Sequence, residues 1–191
     1  DSGNGGGSIV AAYQVSTGLT SAVFGTGWGA GTWGRNTWGS AAALTLTDLM
    51  RIWTHDNFGE DLIINVKDND IFFWAASAAQ ALSTRATSLA TRATALGLTG
   101  APTIATKVLV SDLDRHVIAF GADPVGNIGT QDPLLIRFSD QKNAFDWTPT
   151  VDNSAGDLQL GSGSKIETAV ETRQQILVFT DISLYAMQFV G

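Results

Sequence analysis

Cysteine is absent from the 191 residues. That removes at once a disulfide framework, a thiolate zinc site, an iron–sulfur cluster and a cysteine nucleophile. Charge is scarce too: Asp, Glu, Lys and Arg make up 15% of the chain, against roughly 25% in an average soluble protein. The charge that is present leans one way, with 18 acidic and 11 basic residues, a net charge of −7 and a pI of about 4.5. That sign argues against a nucleic-acid-binding groove. Long hydrophobic runs are missing as well. Apolar residues reach 44% and mean hydropathy is +0.10, yet no window approaches ~18 uninterrupted apolar residues, which excludes a membrane-spanning helix.

What is there is glycine, 21 residues, and tryptophan, six. A low-charge, Gly-rich, apolar chain without a membrane span is expected to hide much of its surface in an assembly. The chain opens on Asp1 without a basic-then-apolar signal segment, so a processed or incomplete N-terminus is expected.

Residues Asp1 to Ser8 are Gly-rich and aperiodic and read as a flexible arm. Ile9 to Val15 reads as a short strand. Trp-Gly then recurs every five residues, at Trp28-Gly29, Trp33-Gly34 and Trp38-Gly39. Five matches neither the helical nor the strand period, so the segment reads as tight turns, each with a Gly for positive φ and an anchoring Trp. Trp28, Trp33 and Trp38 are candidate subunit contacts, given the enrichment of Trp at interfaces. Pinning the loop to its own domain, or forming an aromatic platform for sugars, are the other roles open to them. Residues 1–43 are read as this Gly/Trp-rich arm and loop, and residues 44–191 as a β domain.

In the β domain short apolar runs alternate with turn residues. Leu62–Val66, the turn Lys67-Asp68-Asn69-Asp70 and Ile71–Trp74 form one hairpin. Lys107–Ser111 and His116–Gly121 form a second around Asp112-Leu113-Asp114. Gln175–Phe179 and Leu184–Phe189 form a third. Leu134–Phe138 and Ile166–Val170 supply further strands. Ile63, Val117 and Ile176 are equivalent points, 54 and 59 residues apart. Repeats on that scale predict an all-β fold of antiparallel, β-propeller-like blades, about three units of a larger propeller. Ala75–Leu82 is expected to be a short helix, and the following Thr-rich heptad repeat, Thr84–Ala90 and Thr91–Gly97, to be extended.

Catalytic chemistry is thinly represented. His55 stands beside Asp56, but no Gly-x-Ser-x-Gly elbow accompanies them, and His116 begins a strand. Asp68-Asn69-Asp70 and Asp112-Leu113-Asp114 resemble the start of a calcium loop without its Gly and Glu at positions 6 and 12; Asp and Asn also simply make turns. Gly25-x-Gly27-x-Gly29 and Gly161–Lys165 lack Walker spacing. No enzyme, cofactor or metal is expected.

Residues Pro133-Leu134-Leu135-Ile136-Arg137-Phe138-Ser139-Asp140 lead into Asn143-Ala144-Phe145-Asp146-Trp147-Thr148-Pro149. Ala155-Gly156-Asp157-Leu158, Lys165-Ile166-Glu167 and Ile176-Leu177-Val178-Phe179-Thr180-Asp181 follow. This series resembles a propeller motif in tail proteins of short-tailed bacteriophages, the nozzle or "tail tubular protein B" type. Asp112–Gly121 and the Trp-Gly repeat resemble such virion proteins too. The resemblance implies a non-enzymatic structural protein of the virion tail. It would form a homo-oligomer, a hexameric ring around the channel through which DNA leaves, and meet other tail proteins such as an adaptor. Such proteins are several times longer than this chain. DNA would pass without specific binding, since acidic residues repeated around a ring repel phosphates. Trp147 is then read as an anchor within a blade. Two rival readings are a host-glycan-binding module using the Trp-Gly loops and a propeller glycosidase using Asp56, Glu60 or Asp61.

Overall fold

A computed structural model describes residues 51–76 and 85–188. Its strands are β1 (Trp53–Phe58), β2 (Asp61–Val66), β3 (Ile71–Trp74), β4 (Thr87–Ser88), β5 (Lys107–Val110), β6 (Val117–Phe120), β7 (Leu135–Phe138), β8 (Gly156–Gln159), β9 (Ile166–Glu171), β10 (Ile176–Thr180) and β11 (Leu184–Met187), with one helix, α1 (Leu89–Ala95). They form three antiparallel meanders: β1-β2-β3-β4, β5-β6-β7-β8 and β9-β10-β11. The fold of the described residues is therefore mostly β, in three open sheets of three or four strands.

The hairpins expected from the apolar runs are present. In the first, Ile63 pairs with Phe73 and Asn65 with Ile71. Its turn is closed at Asp68, whose φ of 55° is tolerated best by Asp, Asn or Gly. Asn65 is buried in place of an apolar residue, and its amide donates to the carbonyls of Val66 (3.0 Å) and Ala105 (3.2 Å), tying the turn to the segment before β5.

The second strand of the middle sheet is buried on both faces. All four residues of β6 are buried. Alternate side chains point to opposite faces: Val117 and Ala119 join Ile63, Ile71, Phe73 and Val108 in one core, while Ile118 and Phe120 join Ile136, Ile166, Ile176 and Val178 in another. The continuous apolar run of β6 thus belongs to a strand with a sheet on either side. Each fully buried Ile or Phe contributes about 1.5–3 kcal/mol.

The first strands of the sheets follow one another in space as in sequence: β1 packs against β5 and β5 against β9. They begin at Trp53, Lys107 and Ile166, 54 and 59 residues apart, the spacing read from the hairpins.

One expectation is overturned. The Thr-rich heptad is not extended beyond Thr87–Ser88; Leu89–Ala95 is helical. Leu89 and Ala93, one turn apart, are both buried in the first core, and that burial outweighs the mild resistance of Thr. Thr94 returns its hydroxyl to the Ala90 carbonyl at 2.9 Å. The helix stops at Gly97, with φ of 78°, where the Gly97 and Leu98 amides cap the carbonyls of Thr94 and Ala93. Residues 77–84, which hold most of the expected Ala75–Leu82 helix, lie outside the described residues, as does the division at residue 43.

Candidate functional site

A groove of about 380 Å³ runs between the second and third sheets. Its floor is apolar and comes from four strands: Ile118 of β6, Phe138 of β7, Ile176 of β10 and Met187 of β11. Strand alternation places them there: Ile118 and Ile176 turn to the second core, and Phe138 and Met187 pack partly buried against it. Gly156 of β8 leaves room for the Phe138 ring, because a Cβ at that position would fall 2.7 Å from it.

The rim is acidic and polar. Asp114, Asp157 and Glu171 line it together with Thr172, Gln174 and Gln175. Glu171 accepts a hydrogen bond from the Asp112 amide at 2.9 Å. Burial pushes its carboxyl above the usual range; the Asp112 amide opposes this, and the charges of Asp112 and Asp56 add to it. His116 lies beneath, buried, with Nδ1 at 2.7 Å from the Ser139 carbonyl oxygen and its ring edge-on to Phe138, centroids 6.2 Å apart. A carbonyl only accepts, so the proton is on Nδ1.

Polar side chains also join the first strands. The Val110 amide donates to Asp56 Oδ2 at 2.8 Å, bridging β5 and β1. Lys107 Nζ meets Thr168 Oγ1 at 3.3 Å, bridging β5 and β9. Burial holds the Lys107 ammonium below its usual range, partly offset by the Asp56 charge. Lys165 and Lys67 reach Glu167 at 2.6 and 3.5 Å. The Lys165 hydrogen bond, opposed by desolvation and helped by the Lys165 and Lys67 charges, keeps that carboxyl low. These exposed pairs contribute little to stability. Lys67, Lys107 and Lys165 stand where the first strands begin. Towards the other end of these strands the charges of Asp56 and Asp112 act on Glu171.

Trp147 is fully buried in the first core, its Nε1 donating to the Ala144 carbonyl at 2.8 Å. Beside it Arg137, 1% exposed, donates from Nη1 to the Asp123 carbonyl at 2.9 Å and from Nη2 to the carbonyls of Gly100 and Trp147. Burial lowers the pKa of the guanidinium, and the charges of Asp123 and Asp157 partly restore it. The Asp123 carboxylate is buried and held by the Thr103 hydroxyl at 2.6 Å and the Gly129 amide at 2.7 Å.

Trp28, Trp33 and Trp38 lie outside the described residues. Of the carboxylates considered for glycosidase chemistry, Asp56 has both oxygens accepting backbone amides, Asn57 and Val110, each at 2.8 Å. Strand alternation sends His55 and Asp56 to opposite faces of β1. Asp68 accepts from the Thr106 hydroxyl at 2.7 Å, and Asp70 from the Ile71 amide at 2.8 Å and the Ser88 hydroxyl at 3.2 Å. Among the described residues no group of three or more His, Asp or Glu is placed to hold a metal ion, and no helix is long and apolar enough to cross a membrane. The Glu171 groove and the Arg137–Asp123 network are not evident in the sequence. A lone Arg within the apolar strand Leu135–Phe138 was the available signal for the second; the first is assembled from too many separate elements to leave one. Comparison with protein-family models, with curated proteins and with solved structures finds no match to this chain.

Proposed function

We propose that the chain is a structural component of a short-tailed bacteriophage tail, a nozzle-type virion protein that assembles with copies of itself into a ring around the DNA-exit channel. In this reading the three meanders are successive blades of a propeller-like unit, Trp147 is an anchor within a blade, and the ring abuts other tail proteins such as an adaptor. The observation that carries it is the relation of the first strands: β1, β5 and β9 recur at 54 and 59 residues and touch in that order. Radially arranged blades place their innermost strands in that way. The sequence resemblance names the assembly, and the net charge of −7 suits a conduit that phosphates pass without adhering. A closed head-to-tail ring brings opposite flanks of each copy together and buries apolar surface, which accounts for low charge and abundant Trp in one chain.

Immunogold labelling of intact virions with antibody raised against residues 52–188 tests this reading. Label confined to the tail is expected; virions carrying none of the protein would overturn it. Trp33→Ala should abolish particle assembly without affecting any turnover. Normal particles from that variant would remove Trp33 from the subunit contact.

A further inference from the structure

The groove between the second and third sheets combines three properties. It is open, its floor is apolar, and no Lys or Arg lines it although Asp114, Asp157 and Glu171 do. Its volume of about 380 Å³ sits at the small end of ligand sites, ~300–1,000 Å³, with room for one or two side chains. We propose that this groove docks a partner polypeptide, which inserts an arginine or lysine side chain over the Ile118, Phe138, Ile176 and Met187 floor and sets its cationic head against Glu171, Asp114 and Asp157.

The fit is chemical at both ends of such a side chain. Long cationic residues lay their methylene stems on apolar surface and keep the charged head at a polar rim, and Phe138 offers that stem an aromatic surface. At the rim Glu171 is held in an unfavourable setting: it is partly buried, and the charges of Asp112 and Asp56 oppose its ionisation. An incoming cation relieves that opposition. Arg137, whose guanidinium feels the Asp157 charge, is already engaged by three carbonyls. Thr172, Gln174 and Gln175 add neutral donors and acceptors for the backbone of the inserted segment. An anionic or purely apolar segment would bring these carboxylates no countercharge, so charge complementarity selects the cationic one.

Calorimetric titration of the full chain tests this with three probes: an end-blocked heptapeptide of alternating Arg and Leu, its Glu-for-Arg counterpart, and spermidine. Saturable binding of the Arg–Leu peptide is expected, with no binding of the Glu peptide. Spermidine should bind roughly ten-fold more weakly, because it lacks a side chain for the floor. Glu171→Gln should weaken the Arg–Leu peptide roughly ten-fold. Met187→Lys supplies a tethered cation in the groove and should abolish binding. Far-UV circular dichroism verifies that each variant is folded. Glu60→Gln, in the β1–β2 turn outside the groove, should leave binding unchanged. The proposal is overturned by absence of saturable binding, by spermidine binding as tightly as the peptide, by Glu60→Gln weakening binding as much as Glu171→Gln, or by a folded Glu171→Gln that binds normally. Any of these results leaves tail assembly, which is read on virions, untouched.

Discussion

The guanidinium of Arg137 lies 5.8 Å from the ring centre of Trp147 while its Nη2 donates to the Trp147 backbone carbonyl at 3.3 Å. One residue thus holds both the side chain and the main chain of the other, and the loop between β7 and β8 is fixed at its midpoint. Trp147→Ala leaves an indole-sized void beside a buried cation and should cost about 3–5 kcal/mol. Arg137→Met keeps volume but strands the Gly100, Asp123 and Trp147 carbonyls and the nearby Asp123 charge, and should cost about 3–5 kcal/mol. The two losses should fall well short of adding in the double variant, since the side chains share partners. Urea denaturation of the three variants measures all of this.

Glu171 makes a contribution of opposite sign. Its folded carboxyl lies above the unfolded value, because of burial first and of the Asp112 and Asp56 charges after that. The folded state therefore binds the proton more readily. Stability falls as pH rises from the ordinary Glu value, roughly 4.3, through the higher folded value. Glu171→Gln should raise the melting temperature at pH 7, and the gain should vanish below the ordinary Glu range. Thermal melts across pH measure it; a gain that persists at the lowest pH would refute this account.

Asp140 behaves in the reverse sense. Desolvation, the largest single influence, would raise its carboxyl, but the amide and hydroxyl of Ser154, at 2.9 and 2.8 Å, together with the Gln141 amide and the nearby His116, outweigh it and hold the group below the usual range. Its stabilisation is present above the unfolded pKa and is lost as pH falls through the lower folded value. Asp140→Asn should destabilise at neutral pH and be indistinguishable from the parent at the acid end. Ser154→Ala should cost about 0.5–1.5 kcal/mol at neutral pH.

Two glycines with similar backbone angles should respond differently to alanine. Gly97 has φ of 78° and open space where a Cβ would stand; its replacement carries only the left-handed penalty, about 1–2 kcal/mol. Gly121 has φ of 61°, and its Cβ would fall 2.7 Å from Thr106 Oγ1 and 3.4 Å from the Pro133 carbonyl. Gly121→Ala should therefore cost more than Gly97→Ala, and Gly121→Ala with Thr106→Gly should recover part of the difference. Chemical denaturation of the three variants checks the order.

The second strand of every sheet was legible in the sequence, because β2, β6 and β10 lie between neighbours and carry apolar runs. The strands that were missed sit at the edges. β1 reads Trp-Thr-His-Asp-Asn-Phe and β8 reads Gly-Asp-Leu-Gln, and neither has a buried residue. With solvent on one side, an edge strand is under little pressure to show an apolar pattern. The helix is hard to see in the sequence for a related reason: two buried residues, Leu89 and Ala93, decide its conformation, and the five others dilute them. The Trp-Gly repeat stands out in the sequence, whereas Glu171 and Asp157 come to line one groove only through the packing of one sheet on another.

The double-sided burial of β6 has a consequence for how the molecule comes apart. Neither flanking sheet can leave without exposing half of that strand, Val117 and Ala119 on one side or Ile118 and Phe120 on the other. The three sheets should therefore open as a single cooperative unit. The amide protons of β6 should exchange with deuterium last and together, at the rate of global unfolding, while those of β1, β8 and β11 exchange earlier through fraying of the edges.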